Sequence, residues 1–469
     1  MTSGSAPTPA RPSRRAVVIG GGLTGMLMAQ ALSTVVDVVV LERDTLPERP
    51  EPRKGLPQAK HSHLLWSGGA EAMESVLAGT VKSLDAAGAR RIPLTNGMVA
   101  FSPRGWFQRW PESHYVITCS RDLLDWVIRS RVLANEHVEL RQGITVTGLQ
   151  GTKTAVTGVK VAAGTGDEEI LQADLVVDAS GRGSRTPQWL AELGVPEPAT
   201  REVDSGLVYA SRFHQAPPGL PASWPIINVQ ANPRAAGPGQ AGVILPIEDG
   251  RWLVTLSGTR GGEPTGDPDD FQRFALDLRH PIVGELLGKA TPLGPVHVTR
   301  MTANRRHFYE KAVMPRGYVV LGDALAAYNP TYGQGMSVAA QSAVTLREVI
   351  RRRGWAAPDL AARIQKAVVP HVNVAWTFAT GADVFYEGAT DAGPTLAERL
   401  AARFVDRLTY TATGSGRVAR AVTDVVTLKA GPATFARPSN VVAALRGPLQ
   451  PAPTKPPLTD EERQAVDYA

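Results

Sequence analysis

YVVLGDALAAYNPTYGQGM, residues 318–336, is the stretch on which the fold of this chain turns. An apolar run, Tyr318 to Leu321, stops at Gly322-Asp323. A loop with Pro330, Gly333 and Gly335 follows, and from Met336 the pattern becomes helical and apolar again. A buried strand ending on one carboxylate, next to a helix start stripped of side chains, leaves room for something that is not protein. The carboxylate can accept hydrogen bonds from sugar-type hydroxyls, and the bare helix start can offer amides to a phosphate or a heteroaromatic carbonyl. A capped helix after a turn would explain Asp323 and Gly335 but not the whole set.

The same design opens the chain. "AVVIG" (16–20) reads as a short buried strand, "LTGMLMAQAL" (23–32) as a helix and "VDVVVLER" (36–43) as a second buried strand. Between them lies Gly20-Gly21-Gly22-Leu23-Thr24-Gly25, a GxGxxG turn. Gly20 makes the tight turn, Gly22 lets backbone amides approach a diphosphate, and Gly25 permits close helix–strand packing. The helix N-terminus presents its positive dipole end, and Glu42 at the end of the next strand can accept from a ribose diol. Gly237-Pro238-Gly239-Gln240-Ala241-Gly242 fits the same pattern. No strand precedes it and a proline interrupts it, so it reads as a plain loop and no separate nicotinamide-dinucleotide domain is expected.

A chain of 469 residues, 43% apolar and 20% charged, has the make-up of a soluble enzyme of two packed domains. The lone Cys119 rules out an intrachain disulfide and suits a reducing cytoplasm, the expected location. No apolar run reaches membrane-spanning length, and "MTSGSAPTPARPSRR" reads as a polar disordered tail without a signal core. The net charge of +6 comes from 50 basic residues dispersed among 44 acids, so no nucleic-acid groove is expected. The clusters at 129–131, 305–306 and 351–353 read as solvated helix ends or partners of helix C-termini.

Residues 44–66, rich in proline, charge and histidine, read as a long loop, and 120–134 as an amphipathic helix capped by Ser120. "DLVVDASGRGSR" (174–185) is a further buried strand and turn. From about 203 to 310 the strands alternate, with a hairpin at 242–258 turning at Glu248-Asp249-Gly250. The expected organisation is a disordered tail (1–14), a discontinuous nucleotide-binding domain (15–200 and 300–365), an inserted β-rich substrate domain (201–299), and a C-terminal helical region with a Pro-rich tail (366–469).

"GGGLTG" with Glu42, "DLVVDASGRGSR" and "GDALAAYNPTYGQGM", in this order, resemble the signatures of FAD-dependent monooxygenases of the aromatic-hydroxylase and squalene-epoxidase superfamily, over residues 15 to 350. The resemblance implies an α/β fold: a Rossmann-like FAD-binding domain, an inserted β-sheet substrate domain and C-terminal helices. It implies FAD, electrons from NADPH or NADH directly or through a flavin reductase, and O2. Glu42, with Arg43 beside it, would meet the adenosine ribose, Arg53 the flavin region, and Arg121 the FAD linker. Asp178 would serve FAD and the nicotinamide cofactor, and Gly322 and Asp323 the ribityl–phosphate region. Pro330, Gly333, Gly335 and Met336 would lie along the isoalloxazine. Leu325-Ala326 stands where aromatic hydroxylases carry Ala-His, Asp178-Ala179 replaces Asp-Gly, and Ser337 replaces an Asn. These departures point away from a phenolic substrate.

The segments 53–70, 204–213 and 246–264 resemble, more narrowly, the olefin epoxidases of bacterial polyether-ionophore pathways of monensin and lasalocid type. That implies an alkene of a linear polyene polyketide, free or carrier-bound, epoxidised by a flavin C4a-hydroperoxide without an obligatory protein acid or base. No catalytic residue is named beyond the loop of Pro330, Gly333 and Gly335, which would hold the peroxide. Trp66, Tyr209, Phe213, Trp224 and Trp252 are candidates for an apolar tunnel, although for each taken singly ordinary core packing is the better explanation. His61 and His63 lack further ligands at metal-site spacing, so no metal is expected. A flavin hydroxylase of another natural product, an alkene reductase of the geranylgeranyl-reductase type and a non-catalytic flavin-fold binder are the alternatives. A halogenase is not expected, because no Trp-x-Trp-x-Ile-Pro segment is present. Asp323→Ala removes a charged acceptor and should weaken FAD binding roughly 10- to 100-fold. Flavin titration by fluorescence checks this, and unchanged affinity would sink the assignment of the motif.

Overall fold

A computed structural model of the chain describes residues 14–164 and 166–468. The tail expected over 1–14 lies, apart from Arg14, outside the described residues. The runs flanking the glycine turn form strands Arg15–Ile19 and Asp37–Glu42, joined by helix Leu23–Leu32. They sit inside a five-stranded sheet in the order 318–320, 175–178, 15–19, 37–42, 138–142, parallel throughout. Helices cover both faces of such a sheet, so its strands are apolar along their length rather than alternating. Ala16–Val18 and Val319–Leu321 are fully buried. Register places Ile19 beside Asp178 and Asp178 beside Val320. The loops that follow Ile19, Glu42, Asp178 and Leu321 therefore leave from one edge, where a nucleotide crevice forms in sheets of this kind.

Close helix contacts hold that edge. A Cβ on Gly25 would stand 1.8 Å from the Gly20 carbonyl oxygen, so only glycine lets the first helix start this near its strand. Helix Gly335–Arg353 packs on Leu23–Leu32 and on Ser67–Val76. A Cβ on Gly69 would stand 2.2 Å from the Ser337 Oγ.

The second layer is a seven-stranded sheet in the order 291–299, 208–215, 251–258, 240–246, 226–229, 98–102, 105–106. Its membership crosses the boundary expected at residue 201. Met98–Ser102, assigned by sequence to the nucleotide-binding domain, pairs in parallel with Ile226–Val229. Long-range pairing of this kind leaves no local trace. Strand Arg251–Gly258 alternates: Trp252, Val254 and Leu256 pack under helices Pro268–Leu276 and Ile282–Leu287, whereas Leu253 faces the opposite side. Trp224 and Trp252, offered by sequence as tunnel residues, stack at 5.7 Å in that helix-covered core, away from the other candidates.

Beyond about 430, where a Pro-rich tail is expected, helices Pro438–Arg446 and Asp460–Ala465 form. Leu458 and Val466 join the core of the large sheet with Trp106 and Phe271, and Arg109 pairs with Glu462 at 2.6 Å. Two of the three arginine clusters are not solvated helix ends. Arg129 is buried against the Pro47 carbonyl. Arg306 is buried, pairs with Glu310 at 2.8 Å and lies over Phe308. Among the described residues no helix is long and apolar enough to cross a membrane. Gly25→Ala should destabilise the chain by about 1–3 kcal/mol, the usual cost of overpacking, because the obstacle is backbone. A urea unfolding midpoint equal to that of the parent would show that the close approach is dispensable.

Candidate cofactor site

The glycines at the sheet edge divide into two kinds. Gly20 (φ +99°) and Gly322 (φ +63°) adopt left-handed backbone, and a Cβ on either would strike protein, Ala179 O at 2.7 Å and Thr24 Oγ1 at 2.7 Å. They bring the two motifs into contact, because Thr24 belongs to the first and Gly322 to the second. Gly22 and Gly335 are different. A Cβ on Gly22 would meet only the tip of Arg53 at 3.4 Å, and one on Gly335 only Asp323 Oδ1 at 3.9 Å. No side chain caps either helix start. Two uncapped helix N-termini with open space above them are what an anionic or carbonyl-bearing ligand requires.

A ladder of alternating charge runs along the same edge. Glu42 is buried and accepts the Gly21 N–H at 2.8 Å and the Asp44 N–H at 3.0 Å. Arg53 lies 3.7 Å from Glu42 and 3.9 Å from Asp125, and its buried Nε has no hydrogen-bond partner. Arg121, on the helix that Ser120 caps, donates to Asp125 at 2.7 Å. Asp323 lies in the field of Arg182 and Arg121, yet burial outweighs them and raises its carboxyl above the ordinary range. No hydrogen bond or ion pair reaches that carboxylate among the described residues. A carboxylate and a guanidinium nitrogen that both lack a hydrogen bond among the described residues, beside two bare helix starts, fit a diphosphate-linked polyol.

Asp178 stands at the end of strand Leu175–Asp178. It is fully buried, and its oxygens are taken by Ser180 (N–H at 2.9 Å, Oγ at 2.6 Å), Ser184 and Thr186. These bonds hold the 179–186 turn that follows the strand. Arg43 is largely exposed at the rim, 3.9 Å from Asp44. Met336 is buried in the first turn of its helix, whereas Pro330 is exposed.

The family described as FAD binding domain matches residues 14–373. The chain belongs to this family of FAD-dependent monooxygenases. It is 33% identical over 392 residues to Protein Rv3254 of Mycobacterium tuberculosis, covering 81% of this chain and 82% of that one. It is 27% identical over 391 residues to kynurenine 3-monooxygenase of Salinispora tropica, 78% of each. The structure superposes on the flavin-dependent brominase Bmp2 with a TM-score of 0.65 at 17% identity, over 92% of this chain and 98% of that one, a likeness of fold.

The 57–66 loop closes against the large sheet. His61 Nδ1 and Ser211 Oγ are 2.8 Å apart, and Ser62 meets Thr255 through its N–H at 3.1 Å and its Oγ at 2.8 Å. Ser211 and Thr255, opposite each other in register, are themselves 2.6 Å apart. Burial lowers His61 to about 4 and His63 to about 3, so both rings are neutral at pH 7. Above this seam Trp66 donates to the Tyr332 carbonyl at 3.1 Å, and Trp66, Leu64, Phe213 and Leu253 share one apolar cluster. Tyr209 reaches Thr331 Oγ1 at 2.6 Å. Trp66 and Tyr209 thus touch the 330–335 loop, Phe213 shares the Trp66 cluster, and Trp224 and Trp252 pack in the helix-covered core.

Asp125 and Arg182 escaped the sequence reading. Asp125 follows Arg121 by one helical turn, a spacing that could have revealed it. Arg182 lies inside the middle motif, but its bonds to the Ala303 and Tyr328 carbonyls are purely tertiary. Because the folded pKa of His61 lies below its unfolded 6.5, the unfolded chain binds the extra proton between 6.5 and about 4. Stability should therefore fall as pH drops through that window. In NMR titration the His61 ring should show no midpoint near 6.5, and such a midpoint would mean that the 57–66 loop stands open.

Proposed function

We propose that this FAD-dependent monooxygenase epoxidises alkenes of a linear polyene polyketide in polyether natural-product biosynthesis. The observation that carries the reading is the convergence of three distant segments. The stretches that resemble polyene epoxidases, 53–70, 204–213 and 246–264, meet through the His61–Ser211, Ser62–Thr255 and Ser211–Thr255 contacts at one seam. A shared resemblance concentrated on one wall of a site bears on what the site accepts.

Gly22 and the first amides of helix 23–32 would take the diphosphate, Glu42 the ribose, and Arg53 and Arg121 the charge of the linker. Asp323 would accept from the ribityl hydroxyls, and the bare amides at Gly335–Met336 would face the ring system. FAD, reduced by NADPH or NADH and met by O2, supplies the activated oxygen. The chain's own task is to present one face of the alkene and keep water out. The Trp66, Leu64, Phe213 and Leu253 cluster suits an apolar chain. His61 and His63, held neutral by burial, put no charge beside it. An alkene attacks activated oxygen with its own π electrons and gives up no proton, whereas a phenol needs a base to take one.

Purified protein with FAD, NADPH, a flavin reductase, a linear trisubstituted polyene acid and ¹⁸O-labelled oxygen tests the proposal by product mass. The expected product carries one labelled oxygen per reacting alkene and fragments as an epoxide. Two added hydrogens would mean an alkene reductase, and hydroxylation without alkene loss would move the substrate to another natural product.

A further inference from the structure

Asp383 lies outside every motif, at the end of helix Val369–Asp383 in the C-terminal region, and is 2% exposed. Its Oδ2 accepts from Asn304 Nδ2 at 2.7 Å and from Asn329 Nδ2 at 2.8 Å. An ionised carboxylate only accepts, so both amide side chains must turn their NH2 groups toward it. Their oxygens are thereby aimed the other way. Asn304 Oδ1 takes the Asn329 backbone N–H at 2.7 Å. Asn329 Oδ1 takes the Thr331 N–H at 2.9 Å and the Thr331 Oγ–H at 2.8 Å, and Tyr209 donates to it at 3.3 Å. One buried acceptor therefore orients a chain of polar groups that ends on the turn Pro330–Tyr332 and on Tyr209.

We propose that Asp383 is a positioning residue for oxygen transfer, setting the 329–333 loop against the flavin through Asn304 and Asn329. The proposal rests on the reading above that this loop lines the flavin ring. Burial raises the carboxyl to about 6, against the two amide donors that lower it, and Asp204 faces it as a like charge. Tyr209, Tyr332 and Tyr386 also lie within its field. A desolvated carboxylate survives in such a place when its partners are well aimed.

Asp383→Asn keeps the volume and one acceptor but removes the acceptor-only character, so the neighbouring amides can flip. Hydrogen exchange by mass spectrometry on peptides covering 326–334 of the FAD-free chain should speed up roughly ten-fold, the factor one lost bond to a charged acceptor allows. Peptides from the parallel sheet should stay unchanged. With FAD bound to the same occupancy, the visible circular dichroism of the flavin should shift, and less oxygen should enter product per reductant consumed. Asn329→Ala, which cuts the relay from the loop side, should reproduce both effects should Asp383→Asn fold poorly. Unchanged exchange at 326–334 with unchanged dichroism would overturn the proposal. So would a general loss of stability in which the bound flavin keeps its parental dichroism. A parent protein that makes no epoxide, beside an Asp383→Asn variant that shows the exchange and dichroism changes, would refute the substrate assignment and leave the role of Asp383 standing.

Discussion

The contact between the first helix and the strand before it governs the rest of the structure. With 1.8 Å between the Gly20 oxygen and the position a Cβ on Gly25 would take, any side chain there would push the helix start away from the sheet edge. Gly322 repeats the constraint from the other motif by closing onto Thr24. Because the strands are parallel and in register, both uncapped helix starts face the same crevice. Protein atoms enforce Gly20, Gly25 and Gly322. Little but open space enforces Gly22 and Gly335, and that contrast separates the architecture of the site from its ligand surface.

Electrostatics along the edge follow from burial. Glu42, Arg53, Asp125 and Arg121 neutralise one another over short distances, so the ladder persists without bulk solvent. Asp323 is left without a partner and with a raised pKa. A half-buried carboxylate in that state gains most from a ligand that brings hydroxyl donors. Across the crevice burial pushes the two histidines of the 57–66 loop, His61 and His63, toward neutrality. One wall of the crevice is therefore charged and rich in hydrogen-bonding groups, whereas the other carries two neutral imidazoles.

The C-terminal region is more than a cover. Gln334 donates to the Val426 carbonyl and Gly68 to that of Thr427, while Asp383 orients Asn329. Segments far beyond the glycine motifs thus hold the loop between the second motif and its helix from two sides. A loop with Pro330 exposed and Gly333 at φ +62° needs such restraints to keep one conformation.

Local patterns alone determined the nucleotide-binding half: the apolar runs at 16–19, 38–41, 175–177 and 318–321, the glycine spacings, Glu42, and the Ser120 cap on the helix of Arg121. Each is legible because its cause lies within a few residues, in strand burial, turn geometry or helix capping. Tertiary structure alone decided that 98–106 belongs to the large sheet and that residues after 438 fold into its core. It also decided that Trp224 and Trp252 stack under helices while Trp66 and Tyr209 reach the 330–335 loop. A strand pattern shows that alternate residues face opposite sides, but which side meets the cofactor is set by partners hundreds of residues away. Asp383 is the extreme case: an unremarkable acid in a C-terminal helix, given its role by two asparagines that only the folded chain brings to it.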